Sequence, residues 1–359
     1  MGALLARTAL VLSIAALPVA FNAWIDPARL VAPRAAEREI ARVLASGRAV
    51  TDFANYDDRA IERHLAPLRR GQPDVLVLGS SRMQVLRGCG GAPVRQCANG
   101  FVNGAMQGAT LDDVLGVYGL YDVAERRPRR VVLGVDPWTE SLSGTGWRSV
   151  ADERALVMRR AGIPGSPRRE QLAVWARSVR TLATPEYFRL ALYSFRRHGT
   201  RGIEWRPTDA ERNAGKTKLP DGAVVWTDAS PERAAAAARA FATNGITLDE
   251  RFRDLERRAV GRDGALERFV RYLGGEGVGV TLVLVPFAPE VYDAARRLPG
   301  RTIVEVEREL LAMAARTKVQ IVGSYDPRAV GMTTREFFDE SHPRPEALAR
   351  VVGQAVRAP

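Results

Sequence analysis

The stretch Val75 to Met83, VLVLGSSRM, runs four apolar residues into Gly79-Ser80-Ser81. Pro73-Asp74 introduces it and glycine stops it. A short continuous apolar run bounded in this way is the pattern of a strand buried on both faces, where the usual apolar–polar alternation is lost. The pattern returns at Arg130 to Asp136 (RVVLGVD), at Val278 to Val285 (VGVTLVLV) and at Val319 to Val322 (VQIV). Helical sequence separates these runs: Leu111 to Glu125, with Asp112 and Asp113 placed to meet the positive end of the helix, then Ala265 to Leu273 and Thr302 to Arg316. Pro345 to Val356 reads as a terminal helix, and Ala35 to Leu44 and Ala60 to Leu68 as earlier ones. Phe101 to Thr110 (FVNGAMQGAT) reads as a glycine-containing turn. Strand, loop, helix and strand at this spacing predict an α/β domain around a parallel sheet.

Between Pro137 and Val260 the pattern changes to Trp, Arg, Pro and polar turns. Helical pieces occur at Arg169 to Leu182 and Pro231 to Ala242, and no strong alternating strand run is present. This predicts a mostly helical insertion or lid over the α/β domain, without a core of its own. The expected organisation is 1–27 as an N-terminal segment, 28–136 and 261–359 as the two parts of the α/β domain, and 137–260 as the insertion.

Thr8 to Ile25, TALVLSIAALPVAFNAWI, carries no charge. Eighteen helical residues span about 27 Å, near the thickness of a bilayer's hydrocarbon core. Small residues are poorly placed for signal-peptide cleavage, with Pro18 before Ala20 and Phe21 before Ala23, so an uncleaved anchor is the preferred reading over a cleaved leader, with a buried helix of a soluble protein as the third option. The net charge of +12 comes almost wholly from arginine, the only lysines being Lys216, Lys218 and Lys318. Charge spread along helices without a binding motif argues against nucleic acid as a partner. The two cysteines, Cys89 and Cys97, share the short loop CGGAPVRQC and suit a disulfide in an oxidising compartment, two free thiols being the alternative. No His or further Cys lies at a spacing that would make them a zinc site.

A serine just beyond a buried parallel strand stands where such sheets place their sites. Ser81 needs a base to become nucleophilic, and the base needs an acceptor that fixes its tautomer. Of the three histidines, His64 and His198 lie in charged helical or Arg-rich sequence. His342 lies in Asp339-Glu340-Ser341-His342, just before a helix, and is the candidate base with Asp339 as its acceptor.

Taken in order, these segments resemble the blocks of the SGNH, or GDSL-like, hydrolase superfamily. VLVLGSSRM matches the Gly-x-Ser block and makes Ser81 the nucleophile. Val102 to Thr110 matches an Asn-containing loop, with Asn103 and with Gly108 in the place of the oxyanion-hole glycine. Asp339 and His342 match the late Asp-x-x-His. The third block, Gly-x-Asn-Asp in the family, here reads Gly134-Val135-Asp136-Pro137, so Asp136 replaces an asparagine donor. An ionised aspartate cannot donate to an oxyanion and its charge opposes one. The resemblance then implies either a hole built from the Ser81 and Gly108 N–H groups, with help from a side chain such as Arg82, or another role for Asp136.

The resemblance implies a flavodoxin-like three-layer fold, no metal and no organic cofactor. Within the superfamily the chain is similar to the membrane-anchored proteins of teichoic-acid D-alanyl transfer and alginate acetylation. That implies an enzyme on the outer face of a bacterial inner membrane, moving an acyl group, usually acetyl, between a donor and a cell-envelope glycan. A membrane acyl-transfer protein would be a partner. Water or a sugar hydroxyl as acceptor decides esterase against transferase, and the triad serves both. A non-catalytic glycan-binding scaffold is the alternative that Asp136 suggests. Trp147, Trp175, Trp205 and Trp226 in the insertion are candidate sugar-stacking platforms.

Overall fold

The computed structural model describes the chain from residue 16 to residue 353, apart from 28–29, 31–34, 53–55, 89–99, 141–145, 166, 200–204, 228–229, 250–251, 253–254, 256–262 and 301. Nine strands are present among the described residues: β1 (Ala49–Thr51), β2 (Val75–Leu78), β3 (Phe101–Asn103), β4 (Arg130–Val135), β5 (Arg206–Thr208), β6 (Thr217–Lys218), β7 (Val224–Val225), β8 (Gly279–Leu284) and β9 (Gln320–Gly323). Five of them form a wholly parallel sheet in the order β3-β2-β4-β8-β9. Counted within the sheet this is 2-1-3-4-5, so the winding direction reverses between β2 and β4. Such a reversal opens a crevice beyond the carboxyl ends of those two strands.

The apolar runs are continuous because each strand feeds two cores. Leu76 and Leu78 point into one, with Val131, Leu133, Leu282 and Leu284, beneath the helices Leu111–Val123, Ala265–Gly275 and Ile303–Thr317. Val75 and Val77 point into the other, with Val132, Val283, Met83, Phe338 and the terminal helix Pro345–Val352. This is the period of two expected of strand side chains, with both sides covered.

One expectation changes. Phe101 to Asn103 is not turn but the edge strand β3, three residues too short to show a period. The insertion is mostly helical, as expected, but it also carries short strands that its sequence did not show. Its helices Pro167–Leu182 and Pro231–Ala240 lie close to where the sequence places them, joined by Ala151–Arg160 and Pro185–His198. It further supplies β5, β6 and β7, which pair antiparallel with one another and with β1 in the order β5-β1-β6-β7. The insertion does share the main core, since Val150, Val157, Met158 and Ile163 pack into it.

Residues 16–25 are helical, and their end docks on the insertion: Phe21 meets the rings of Phe188 and Phe195, and Asn22 donates to the Leu182 carbonyl at 2.7 Å. Among the described residues no helix is long and apolar enough to cross a membrane. The first half of the apolar run, and Cys89 and Cys97 with their expected disulfide, lie outside the described residues.

Candidate active site

Beyond the end of β2 the backbone turns sharply. Gly79 has φ +133°, a region that favours glycine, and a Cβ there would stand 2.9 Å from the Gly134 carbonyl oxygen. The chain can therefore pass close against the end of β4. Met83 N–H bonds back to Ser80 O, and Gln84 N–H to Ser81 O, closing a tight turn that leaves Ser81 half-buried at the surface of the crevice.

The C-terminal segment meets this turn from across the sheet. The Phe338 N–H bonds to the His342 carbonyl at 2.8 Å and Phe337 bridges Pro343, closing a narrow loop. Within it Asp339 Oδ1 accepts from the N–H groups of Ser341 and His342, both at 2.9 Å. The same carboxylate faces His342 Nδ1, at 2.8 Å from Oδ2. This explains the spacing: a carboxylate that caps its own turn reaches the ring three residues later. Because the carboxylate can only accept, Nδ1 carries the proton and Nε2 is left to accept from the Ser81 hydroxyl, 2.8 Å away. Burial alone would raise the Asp339 pKa, but the His342 hydrogen bond and charge and the two backbone N–H groups reverse that, and it lies below the ordinary value.

The loop carrying Gly108 is clamped residue by residue. Met106 N–H donates to Gly79 O at 2.9 Å, tying the loop to the Ser81 turn. Gln107 N–H donates to Asp58 Oδ2 at 3.0 Å, and Gln107 O accepts from Arg59 at 2.9 Å. Arg59 is itself held by a two-pronged contact with Asp113, both bonds 3.0 Å. Asp58 is in turn paired with Lys218 Nζ at 3.0 Å and accepts from Gln84 at 3.0 Å. Its pKa lies below the ordinary value: burial opposes this, and the Lys218 charge, the Gln107 N–H and Arg59 outweigh it. Gly108 follows, exposed and at φ +60°, with open space where a Cβ would project. Among the described residues nothing accepts from the N–H of either Ser81 or Gly108.

The remaining residues singled out in the sequence are brought to the site but not into its opening. Asn103 is fully buried. Its amide donates to the carbonyls of Met83 and Leu86, and its Oδ1 accepts from Ala105 N–H, so it braces the two loops against each other. Arg82 and Asp136 form an ion pair at 2.6 Å with both side chains 2% exposed. Arg82 also donates to Ser341 O, Val285 O and Pro286 O and lies over the Phe287 ring. It thus ties together the ends of β2, β4 and β8 and the His342 loop. Asp136 is the counter-ion of Arg82, and its charge is compensated where it stands.

Sequence reasoning missed Asp58, Arg59, Asp113, Gln84 and Lys218 as a connected clamp. Only the acidic first turn at Asp112-Asp113 hinted at it. The insertion enters the site through β7, whose Val224 N–H bonds to Gln84 O at 2.8 Å. Just beyond, the Trp226 ring lies 4.5 Å from the His342 ring, tilted by 33°. Of the other candidate platforms, Trp175 is 65% exposed on its helix and Trp205 packs on the small core around Ile40 and Ile61. The Trp147 side chain lies outside the described residues. Among the described residues no group of three His, Cys, Asp or Glu side chains is placed to hold a metal.

Comparison with protein-family models, with curated proteins and with solved structures finds no match for this chain.

Proposed function

We propose that the chain is a serine esterase or acyltransferase of the SGNH kind, acting on acyl esters of a cell-surface glycan. The observation that carries this reading is the continuous hydrogen-bonded row Ser81 Oγ, His342 Nε2, His342 Nδ1 and Asp339 at 2.8 Å per step, assembled from opposite ends of the chain at the winding reversal of the sheet. The strand order, that of flavodoxin-like sheets, supports the family reading.

In this reading Ser81 Oγ attacks the acyl carbonyl while its proton passes to His342 Nε2. The Ser81 and Gly108 N–H groups stabilise the oxyanion. His342 then gives the proton to the departing alkoxide, leaving an acyl-Ser81 ester. Water or a sugar hydroxyl surrenders a proton to Nε2 as it attacks the acyl carbonyl, and His342 returns that proton to Ser81 Oγ as the acyl–Oγ bond breaks, releasing the acid or the new ester. Asp339 holds the imidazole and balances its charge. The scaffold reading rests on the donor lost at Asp136; the Arg82 ion pair compensates the charge there but supplies no donor, so the enzyme reading relies on the Ser81 and Gly108 N–H groups.

We further propose that Thr8 to Ile25 anchors the chain, with the α/β domain outside the inner membrane and an acyl-transfer protein supplying the donor. Purified full-length protein in detergent should hydrolyse a chromogenic acetyl ester. Ser81→Ala and His342→Ala should each lower kcat by about 10³-fold or more, towards the background left by binding and the oxyanion hole. Turnover equal in wild type and Ser81→Ala would refute the assignment.

A further inference from the structure

We infer that Lys216 and Trp226 form a subsite for an anionic group, carboxylate or phosphate, on the acyl-ester substrate. This rests on the esterase or acyltransferase reading and adds the substrate's charge class.

Trp226 does not merely pack near His342. Its indole carries the Lys216 ammonium 3.8 Å above the ring centroid, so imidazole, indole and ammonium form one contiguous group at the crevice. The backbone explains the placement. Lys216 precedes β6 and lies two residues from Lys218, so both project to the same side of an extended segment. Lys218 is spent on Asp58, both side chains being 1% exposed. Lys216 stands one step further along, towards His342.

The two lysines differ in how their charge is met. Among the described residues no carboxylate lies within ion-pair distance of Lys216. Asp58 is already held by Lys218, Gln84 and Gln107, and Asp339 by His342 and two N–H groups. Burial pulls the Lys216 ammonium below its ordinary pKa, and the more distant charges of Asp58 and Asp339 offset this only in part. A half-buried cation resting on an aromatic face has lost part of its hydration and received a modest cation–π attraction in exchange.

Beside it, Trp226 Nε1 is buried and has no acceptor among the described residues. An indole N–H and an ammonium, both short of acceptors, are therefore found in one aromatic–cation unit against the base. A neutral hydroxyl would satisfy one donor and leave the charge unmet. An anionic group offers several acceptor oxygens and a charge of the right sign, and a compact ammonium meets such a group as a point charge.

The test compares hydrolysis of three acetyl esters by the full-length protein: O-acetylglucose, O-acetylglucuronate and O-acetylglucose 6-phosphate. Wild type should favour at least one anionic ester over the neutral one by about tenfold or more in kcat/KM, mainly through KM, and the ratio should shrink as salt is raised. Lys216→Met should collapse the ratio towards one and Lys216→Arg should retain most of it. The carboxylate and phosphate arms say which anion the subsite takes. Equal ratios in wild type and Lys216→Met, or no preference in wild type, overturn the subsite. To separate it from the enzyme reading, glucuronate and glucose 6-phosphate are titrated against Ser81→Ala protein by tryptophan fluorescence. Saturable quenching that glucose does not give, and that Lys216→Met loses, supports the subsite even if no ester turns over. Its absence overturns the subsite whatever the esterase result.

Discussion

Arg82 and Asp136 sit beneath the Ser81–His342 pair, and their energetics are those of a buried ion pair. Removing one partner leaves the other charge desolvated and unmatched, which costs about 3–5 kcal/mol, whereas removing both for apolar groups costs less. Asp136→Asn should therefore lower the urea midpoint sharply, even though asparagine is the residue the resembled family carries there. The double variant Arg82→Met with Asp136→Leu should be more stable than either single change, read from the same urea curves. Equal stability of Asp136→Asn and wild type would contradict the pairing. The residue scale also shows what sequence can convey. Ser81, Asp339 and His342 were legible because a self-capping Asp-x-x-His turn and a Gly-Ser-Ser strand exit are local. Arg82 with Asp136 was not, since 54 residues separate them and only the neighbouring positions of β2 and β4 bring them together.

At the scale of elements, the loop from Met106 to Ala109 depends on the helix Asp58–Leu65 and on β6 of the insertion. Lys218→Met leaves Asp58 buried without its cation, and Arg59→Ala frees the Gln107 carbonyl. Each should loosen the Gly108 N–H while leaving the row from Ser81 to Asp339 in place. A misplaced oxyanion donor is expected to lower kcat by about 10²-fold. The variants should thus still be labelled at Ser81 by a fluorophosphonate, more slowly, with KM changed less than kcat. A kcat indistinguishable from wild type in Arg59→Ala would show that the clamp does not govern the loop. The four main apolar runs and the helices between them were readable from length and punctuation. β1, β3, β5, β6 and β7 were not, because strands of two or three residues carry too little pattern to separate from turns and are fixed by their partners.

Across the whole molecule, several carboxylates are held below their ordinary pKa. Arg316, assisted by Arg271, keeps Glu267 charged against burial and brings it to about 2, joining the helix Ala265–Gly275 to Ile303–Thr317. Asp58 and Asp339 are lowered as well. A carboxylate with a depressed folded pKa binds protons more readily when unfolded, so its stabilisation is complete above the unfolded pKa and is withdrawn as pH falls through the folded one. The melting temperature should fall steadily from about pH 4.5 towards pH 2, and Glu267→Gln should flatten that slope while lowering stability at neutral pH. A parallel sheet was predictable from the strand and helix spacing, whereas its 2-1-3-4-5 order was implied only by the resemblance to a flavodoxin-like fold. Order is set by which strands the crossovers bring side by side, and it is this order that puts Ser81 and Asp136 at one crevice.

Everything proposed for the site turns on Ser81 being an activated nucleophile. Full-length protein treated with a fluorophosphonate at neutral pH, followed by intact mass and peptide mapping, tests it directly. A single adduct on the peptide carrying Ser81, lost in Ser81→Ala and strongly slowed in His342→Ala, is the predicted result. An unmodified protein, or an adduct that persists in Ser81→Ala, would contradict it.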